Sequence, residues 1–285
     1  MQETLSARPN AESADMRTSD SNPKTKQEHD QVMTVEEYIA DVIKRDGVAH
    51  ITLIDPASQK PEDSVKLAVA AVEGGTDAIM LGGSTGAGGP LLDMTAKLIK
   101  ENVKVPVILF PGNTAGFTMY ADCVLFMSLL NSRDTNYIVG NQVMGAPTLY
   151  KAGMESVPMA YLVCEPGGTV GWVGDAKLLP RKKPELAAAY ALTGKYFGMR
   201  WTYLEAGSGA DDALPPEMIG TVKHVLGENI LIVGGGIRDG KTAAVCAKAG
   251  ADIIVTGTAI EKGPIEEAKA KTAEIVAGAK AGKKM

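Results

Sequence analysis

The run Tyr203-Leu204-Glu205-Ala206-Gly207-Ser208-Gly209 sets one carboxylate among small residues that leave room around it. A carboxylate so placed can take a proton from a bound alcohol, and its other reading is an ion pair at a rim. Two more glycine runs follow, Gly234-Gly235-Gly236-Ile237-Arg238 and Thr256-Gly257-Thr258. Glycine lets the backbone approach a ligand closely and turn its N–H groups inward, as an anion-binding nest requires. Any one of these runs alone reads as a tight turn. Side by side they can surround one phosphate, aided by the partial positive charge of a helix beginning near Asp239.

Asp55 before Pro56 and Ser84 after Gly82-Gly83 form a second pair. A carboxylate and a hydroxyl suit a hard cation such as Mg2+, which takes few protein ligands and fills its shell from water and substrate phosphate. A capping Asp and a turn Ser explain the same residues, and both readings stand. None of the histidines is placed for catalysis. His29 lies in a polar N-terminal stretch, His50 precedes an apolar run and His224 lies inside a surface-type helix, so a Ser-His-Asp mechanism has no support. Asp211-Asp212 reads as a solvated turn, and Arg181-Lys182-Lys183 before Pro184 as a solvated helix start.

These residues need a frame that brings distant loops together. From Thr34 the apolar residues Val35, Tyr38, Ile39, Val42 and Ile43 fall at helical spacing, and Gly47 ends that helix before the run His50 to Ile54. A strand-loop-helix unit then recurs, with strands at Ala78 to Leu81, Val105 to Phe110, Cys123 to Leu129, Met159 to Cys164, Trp201 to Leu204, Ile230 to Val233 and Ile253 to Thr256. Helices are predicted over Glu62 to Glu73, Leu91 to Asn102, Pro184 to Phe197, Pro216 to Leu226, Asp239 to Ala249 and Pro264 to Ala279.

Eight such units imply a parallel sheet closed on itself, an α/β fold of the (β/α)8 TIM-barrel type. The stretch Pro111 to Phe117 is too short and glycine-rich for a full helix, so the helix after strand three is expected to be missing or shortened. Barrel enzymes work from the loops at the C-terminal ends of their strands. Asp55, Ser84, Glu205 and all three glycine runs fall at such ends. Residues 1–33, polar and without period, read as a disordered tail, leaving 34–285 as one catalytic domain.

A net charge of -5 argues against nucleic acid as a partner, because such binders carry a basic surplus. Cys123, Cys164 and Cys246 are widely spaced and read as reduced core thiols, which points to the cytoplasm. No run approaches the roughly 18 apolar residues of a membrane span, although contact with a membrane surface stays open. Trp172, in a glycine-rich loop, is a packing residue or a contact between copies in a homo-oligomer.

From Val35 onward the chain resembles the geranylgeranylglyceryl phosphate synthase family. The motifs that carry the resemblance are Leu53-Ile54-Asp55-Pro56, Leu81-Gly82-Gly83-Ser84, Phe110-Pro111-Gly112, the heptapeptide Tyr203 to Gly209, Gly234 to Arg238 and Gly257-Thr258. The resemblance implies Mg2+ on Asp55 and Ser84. It implies sn-glycerol 1-phosphate on Tyr203, Leu204, Glu205, Ala206, Gly207, Ser208, Gly209, Gly234, Gly235, Gly257 and Thr258, with Glu205 and Tyr203 catalytic.

The reaction implied joins the C3 oxygen of sn-glycerol 1-phosphate to the geranylgeranyl group of geranylgeranyl diphosphate, in archaeal-type membrane lipid synthesis. An isoprenoid tail then needs an apolar groove, expected between Phe110 and Gly145. The chain departs from some members by carrying Leu53 where they have Lys, so its diphosphate is expected to be neutralised differently. The same chemistry on another prenyl length, a sugar-phosphate isomerase using Glu205, and a phosphate-binding barrel without catalysis remain as alternatives.

Overall fold

Alternating apolar runs and amphipathic helices close as the sequence predicts. The computed structural model describes residues 33–284, so the expected tail lies outside the described residues except for Met33. Helix α1 (Val35–Asp46) opens on a capping box in which Thr34 Oγ1 accepts from Glu37 N–H while the Glu37 carboxylate accepts from Thr34 N–H. It ends at Gly47, whose φ of 83° is the left-handed turn that glycine permits.

Eight strands follow: β1 (Ala49–Ile54), β2 (Ala78–Leu81), β3 (Val107–Leu109), β4 (Cys123–Leu129), β5 (Glu155–Val163), β6 (Trp201–Glu205), β7 (Ile230–Gly234) and β8 (Ile253–Thr256). Each pairs in parallel with the next, and β1 pairs with β8 to close the barrel. The helical layer comprises α2 (Pro61–Glu73), α3 (Gly89–Asn102), α4 (Asn141–Ala152), α5 (Gly168–Val173), α6 (Pro184–Tyr196), α7 (Pro216–Leu226), α8 (Gly240–Ala249), α9 (Thr258–Glu261) and α10 (Ile265–Lys283). The chain crosses from β3 to β4 without a helix, as the short glycine-rich stretch there implied.

Strand periodicity splits the core in two. On β6, Trp201 and Tyr203 join the interior cluster with Ile51, Met80, Tyr161 and Ile232. Leu204 faces outward and packs with Ala187, Ala191, Met218 and Ile219 of α6 and α7. Glu205 therefore points into the barrel, with 6% of its surface exposed.

The N-terminal end of the barrel is tied by a repeated device. Asp77 Oδ2 accepts from His50 N–H at 2.9 Å, Asp122 Oδ2 from Val107 N–H at 2.7 Å and Asp252 Oδ2 from Leu231 N–H at 2.9 Å. In each case the carboxylate just before a strand satisfies an N–H near the start of its neighbour. Lys100 and Lys223 balance two of these charges at 2.8 and 2.6 Å. Stability is thus built at the end opposite the glycine loops.

The structure differs from the sequence reading at α4, which no apolar period announces. It contains Gly145 and Pro147, it buries none of its residues, and a π-helical turn over Asn136–Gly140 leads into it. Gln142 Nε2 donates to Met127 O at 2.5 Å, and Ser128 Oγ donates to Ile138 O at 2.6 Å, so polar bonds rather than a buried stripe hold the segment to β4. No helix among the described residues is long and apolar enough to cross a membrane.

Trp172 on α5 is 86% exposed. An indole left in water on a folded surface is the residue type that contacts between copies favour. Trp172→Ala is expected to lower the association state by light scattering, and an unchanged mass would remove that role.

Candidate functional site

The loops after β6, β7 and β8 meet Leu53 of β1 around a cleft of about 430 Å3. Of the residues singled out from sequence, Tyr203, Glu205, Ser208, Gly209, Gly235, Gly257 and Thr258 line it. Ser208 Oγ and Thr258 Oγ1 lie 2.8 Å apart, which stitches the first of these loops to the third.

Leu204 and Ala206 do not line the cleft. Their side chains belong to the outer core between sheet and helices, because alternate strand residues face opposite ways, so neither presents a side chain to the cleft. Gly234 and Gly207 act through their neighbours. A Cβ on Gly234 would stand 2.1 Å from the Tyr203 hydroxyl, so glycine is what makes space for that ring. Gly207 N–H donates to Glu205 Oε1 at 2.6 Å.

Burial raises the pKa of Glu205 above its ordinary value, and the bonds from Gly207 N–H, the Tyr203 hydroxyl and the Tyr161 hydroxyl draw it back down. Tyr161 Oη donates to Glu205 Oε2 at 3.4 Å. A carboxylate with a raised pKa is a stronger base once ionised, and it is held in place from both oxygens. Tyr161→Phe removes one bond that favours the ionised form, so Glu205 should titrate higher still. The expected result is that the acid limb of the turnover profile moves to higher pH, and an unmoved limb would dissociate Tyr161 from the base.

Sequence reading placed Tyr161 inside the fifth strand and missed it because chemistry was sought only at strand ends. The pairing register Tyr161↔Tyr203 was the signal that sets both rings side by side. Their centroids lie 5.3 Å apart, edge to face, and Phe110 meets the two at 5.2 and 5.5 Å.

Tyr161 faces a second cavity, an open groove of about 1040 Å3. Its walls come from the β3–β4 crossing at Pro111 to Phe117, from Leu125 and Met127 of β4, and from Met144 and Leu149 of α4. This matches the segment from which a groove was expected, although Leu149 and Val170 of α5 extend it. Among the described residues no charged side chain lines it. The tyrosine pair is the wall the groove shares with the cleft.

Ser84 lies on the groove and Asp55 stands beside it: a Cβ on Gly83, the residue before Ser84, would meet both Asp55 carboxylate oxygens at 2.5 Å. Asp55 also closes the turn after β1, since Oδ1 accepts from Ala57 N–H at 2.9 Å. Burial raises the Asp55 pKa, opposed by the bonds from Ala57 N–H and the Ser58 hydroxyl.

Glu261, absent from the sequence reading, accepts from Asp55 N–H at 2.8 Å. Its pKa is raised to about 7, first by burial and further by the nearby Asp55 charge. Among the described residues no group of three or more His, Cys, Asp or Glu is arranged for a metal. A carboxylate and a hydroxyl side by side next to the groove nonetheless fit Mg2+, which binds proteins through one or two carboxylates.

Two arginines clamp the β6 loop. Arg238 Nη2 donates to Ala210 O at 2.8 Å and to Gly209 O at 3.2 Å, while Arg181 bonds the carbonyls of Asp212 and Ala213.

Known proteins share this architecture. Residues 40–278 match the family described as PcrB. The geranylgeranylglyceryl phosphate synthase of Methanosarcina acetivorans is 66% identical over 248 residues, which cover 87% of this chain and 100% of that protein. A crystal structure of (S)-3-O-geranylgeranylglyceryl phosphate synthase from Thermoplasma acidophilum, in complex with its substrate sn-glycerol-1-phosphate, aligns with a TM-score of 0.82 and 41% identity. That alignment covers 87% of this chain and 99% of that one. A thiamine phosphate pyrophosphorylase from Pyrococcus furiosus, 14% identical with a TM-score of 0.55 over 84% of this chain and 98% of that one, shares the fold.

Proposed function

The chain belongs to the PcrB family, and from that premise we infer that it is a geranylgeranylglyceryl phosphate synthase, a prenyltransferase of lipid biosynthesis. It transfers the geranylgeranyl group of geranylgeranyl diphosphate to the C3 oxygen of sn-glycerol 1-phosphate and releases diphosphate. The observation that carries this reading is the pair of cavities meeting at Tyr161 and Tyr203, one with a buried carboxylate and glycine loops, the other larger and lined by no charged side chain.

The cleft takes the phosphate end of sn-glycerol 1-phosphate, on the backbone N–H groups of the β7 and β8 loops and the hydroxyls of Ser208 and Thr258. That anchoring fixes the C3 hydroxyl toward Glu205 and converts an encounter of two solutes into attack within one complex. Glu205 takes the hydroxyl proton as the oxygen bonds to the allylic carbon, and the diphosphate leaves with the electron pair of the broken carbon–oxygen bond. Tyr203 and Tyr161 hold the carboxylate and keep water from the allylic carbon. The groove removes the isoprenoid tail from water, worth roughly 0.8 kcal/mol for each buried methylene.

Asp55 and Ser84 are the residues that would hold Mg2+, and when bound the ion would offset the charge that develops on the departing diphosphate. The carboxylate of Asp55 supplies the charge for that site and Ser84 a neutral oxygen. Their place on the groove side leaves the cleft to the glycerol phosphate.

Incubation of the full chain with sn-glycerol 1-phosphate, Mg2+ and prenyl diphosphates of graded length tests the reading by mass spectrometry. The geranylgeranyl ether should dominate among the products. Isomerised phosphate with no ether product would favour a sugar-phosphate isomerase, and tight phosphate binding without turnover a binding barrel.

A further inference from the structure

Neither the glycine loops nor the hydroxyls of the cleft bring a full positive charge to a phosphate dianion, and Glu205 adds a negative one when ionised. Among the described residues lining the cleft and the groove, Arg238 carries the only positive charge. Leu53 lines the same cleft with an aliphatic side chain. We propose that Arg238 is the side chain that binds the phosphate of sn-glycerol 1-phosphate and selects a dianionic phosphate ester. This inference rests on the proposed function for the identity of the ligand.

The position of the guanidinium follows from local structure. Arg238 leaves the glycine run after β7 and immediately precedes Asp239, whose carboxylate accepts from Thr242 N–H at 2.7 Å and starts α8. One nitrogen, Nη2, is occupied by the carbonyls of Gly209 and Ala210, and the Asp211 carboxylate stands 3.7 Å from it. Among the described residues, Nε and Nη1 make no hydrogen bond. A guanidinium has five N–H donors in a rigid fork, so anchoring Nη2 leaves three for a phosphate oxygen pair.

The same anchor orders the end of the Tyr203 to Gly209 loop, which links phosphate arrival to the placement of Glu205 near its start. A role as a loop staple alone would use the same bonds, so the test must read charge as well as fold.

Calorimetric titration of the full chain with sn-glycerol 1-phosphate, without prenyl diphosphate, at low and high salt distinguishes the two. Arg238→Gln should bind about ten-fold more weakly or worse and lose much of the parent's salt dependence, because a charge-assisted bond is removed. Its KM for the prenyl diphosphate should stay within about two-fold. Arg238→Lys keeps the charge, should recover part of the affinity and salt dependence, and serves as the decisive variant if the glutamine protein does not fold.

Parent-like affinity and salt dependence in a folded Arg238→Gln protein, or equal losses for both substrates, would overturn the assignment. A parent enzyme that yields no ether product would instead sink the proposed function. Inorganic phosphate titrated into parent and variants would then still decide the role of Arg238, with parent-like binding by Arg238→Gln counting against it.

Discussion

Turnover of Glu205→Gln is expected to fall by roughly 100-fold or more while the barrel stays folded. The amide keeps the shape of the carboxylate and an oxygen able to accept from Gly207 N–H, now at 2.6 Å, but it cannot take a proton from the C3 hydroxyl. The parent should show a matching pH profile. Burial raises the pKa of Glu205, so its protonated, inactive form persists to higher pH than for an ordinary glutamate, and turnover should fall as pH drops through that raised value.

Linkage gives the sign for stability. A carboxyl with a raised folded pKa contributes its stability below the unfolded value and loses it as pH rises through the folded one. Wherever Glu205 is ionised it therefore opposes folding, and Glu205→Gln should melt no lower than the parent. Turnover within a few-fold of the parent would remove Glu205 as the base, and a collapsed melting temperature would mark it as structural.

Activity is expected to vanish with a chelator, return with Mg2+, and in Asp55→Asn to require a much higher concentration of the ion. Among the described residues the groove presents no charged side chain of its own, so a diphosphate entering it has little but a cation at Asp55 and Ser84 to offset its charge. That charge grows on the leaving oxygen in the transition state, where a hard cation stabilises it more than in the ground state. The amide of the Asp55→Asn variant would keep an oxygen for Ala57 N–H, so the turn after β1 should survive the change. Affinity for sn-glycerol 1-phosphate should stay close to normal, since Asp55 does not line the cleft. Full activity in chelator, or an identical Mg2+ curve for both proteins, would rule out the metal role.

Much of the barrel was legible because parallel strands buried on both faces read as short apolar runs: three of the predicted strands match and four need only end adjustments. The fifth begins at Glu155, ahead of Met159, because Glu155, Ser156 and Pro158 interrupt the apolar run although they pair with β4. Helix α4 stayed invisible for a stronger reason. A helix that buries nothing has no period to read, and Gly145 and Pro147 argue against it locally.

At the site, residue types and strand ends located the cleft, yet the heptapeptide was taken whole. Strand parity alone would have separated Tyr203 and Glu205 from Leu204. Tyr161 and Glu261 emerge only from pairing register and burial, neither of which is a local property of the sequence. Glu261, for example, meets Asp55 across 206 positions of the chain.

The central claim is that the glycerol hydroxyl, freed of its proton at Glu205, becomes the ether oxygen. Its most direct test uses sn-glycerol 1-phosphate carrying oxygen-18 at the C3 hydroxyl, with unlabelled geranylgeranyl diphosphate and the full chain, read by mass spectrometry of both products. The ether lipid should retain the heavy oxygen and the released diphosphate should carry none. Label in the diphosphate, or glycerol phosphate recovered labelled beside free geranylgeraniol and no ether, would contradict the account.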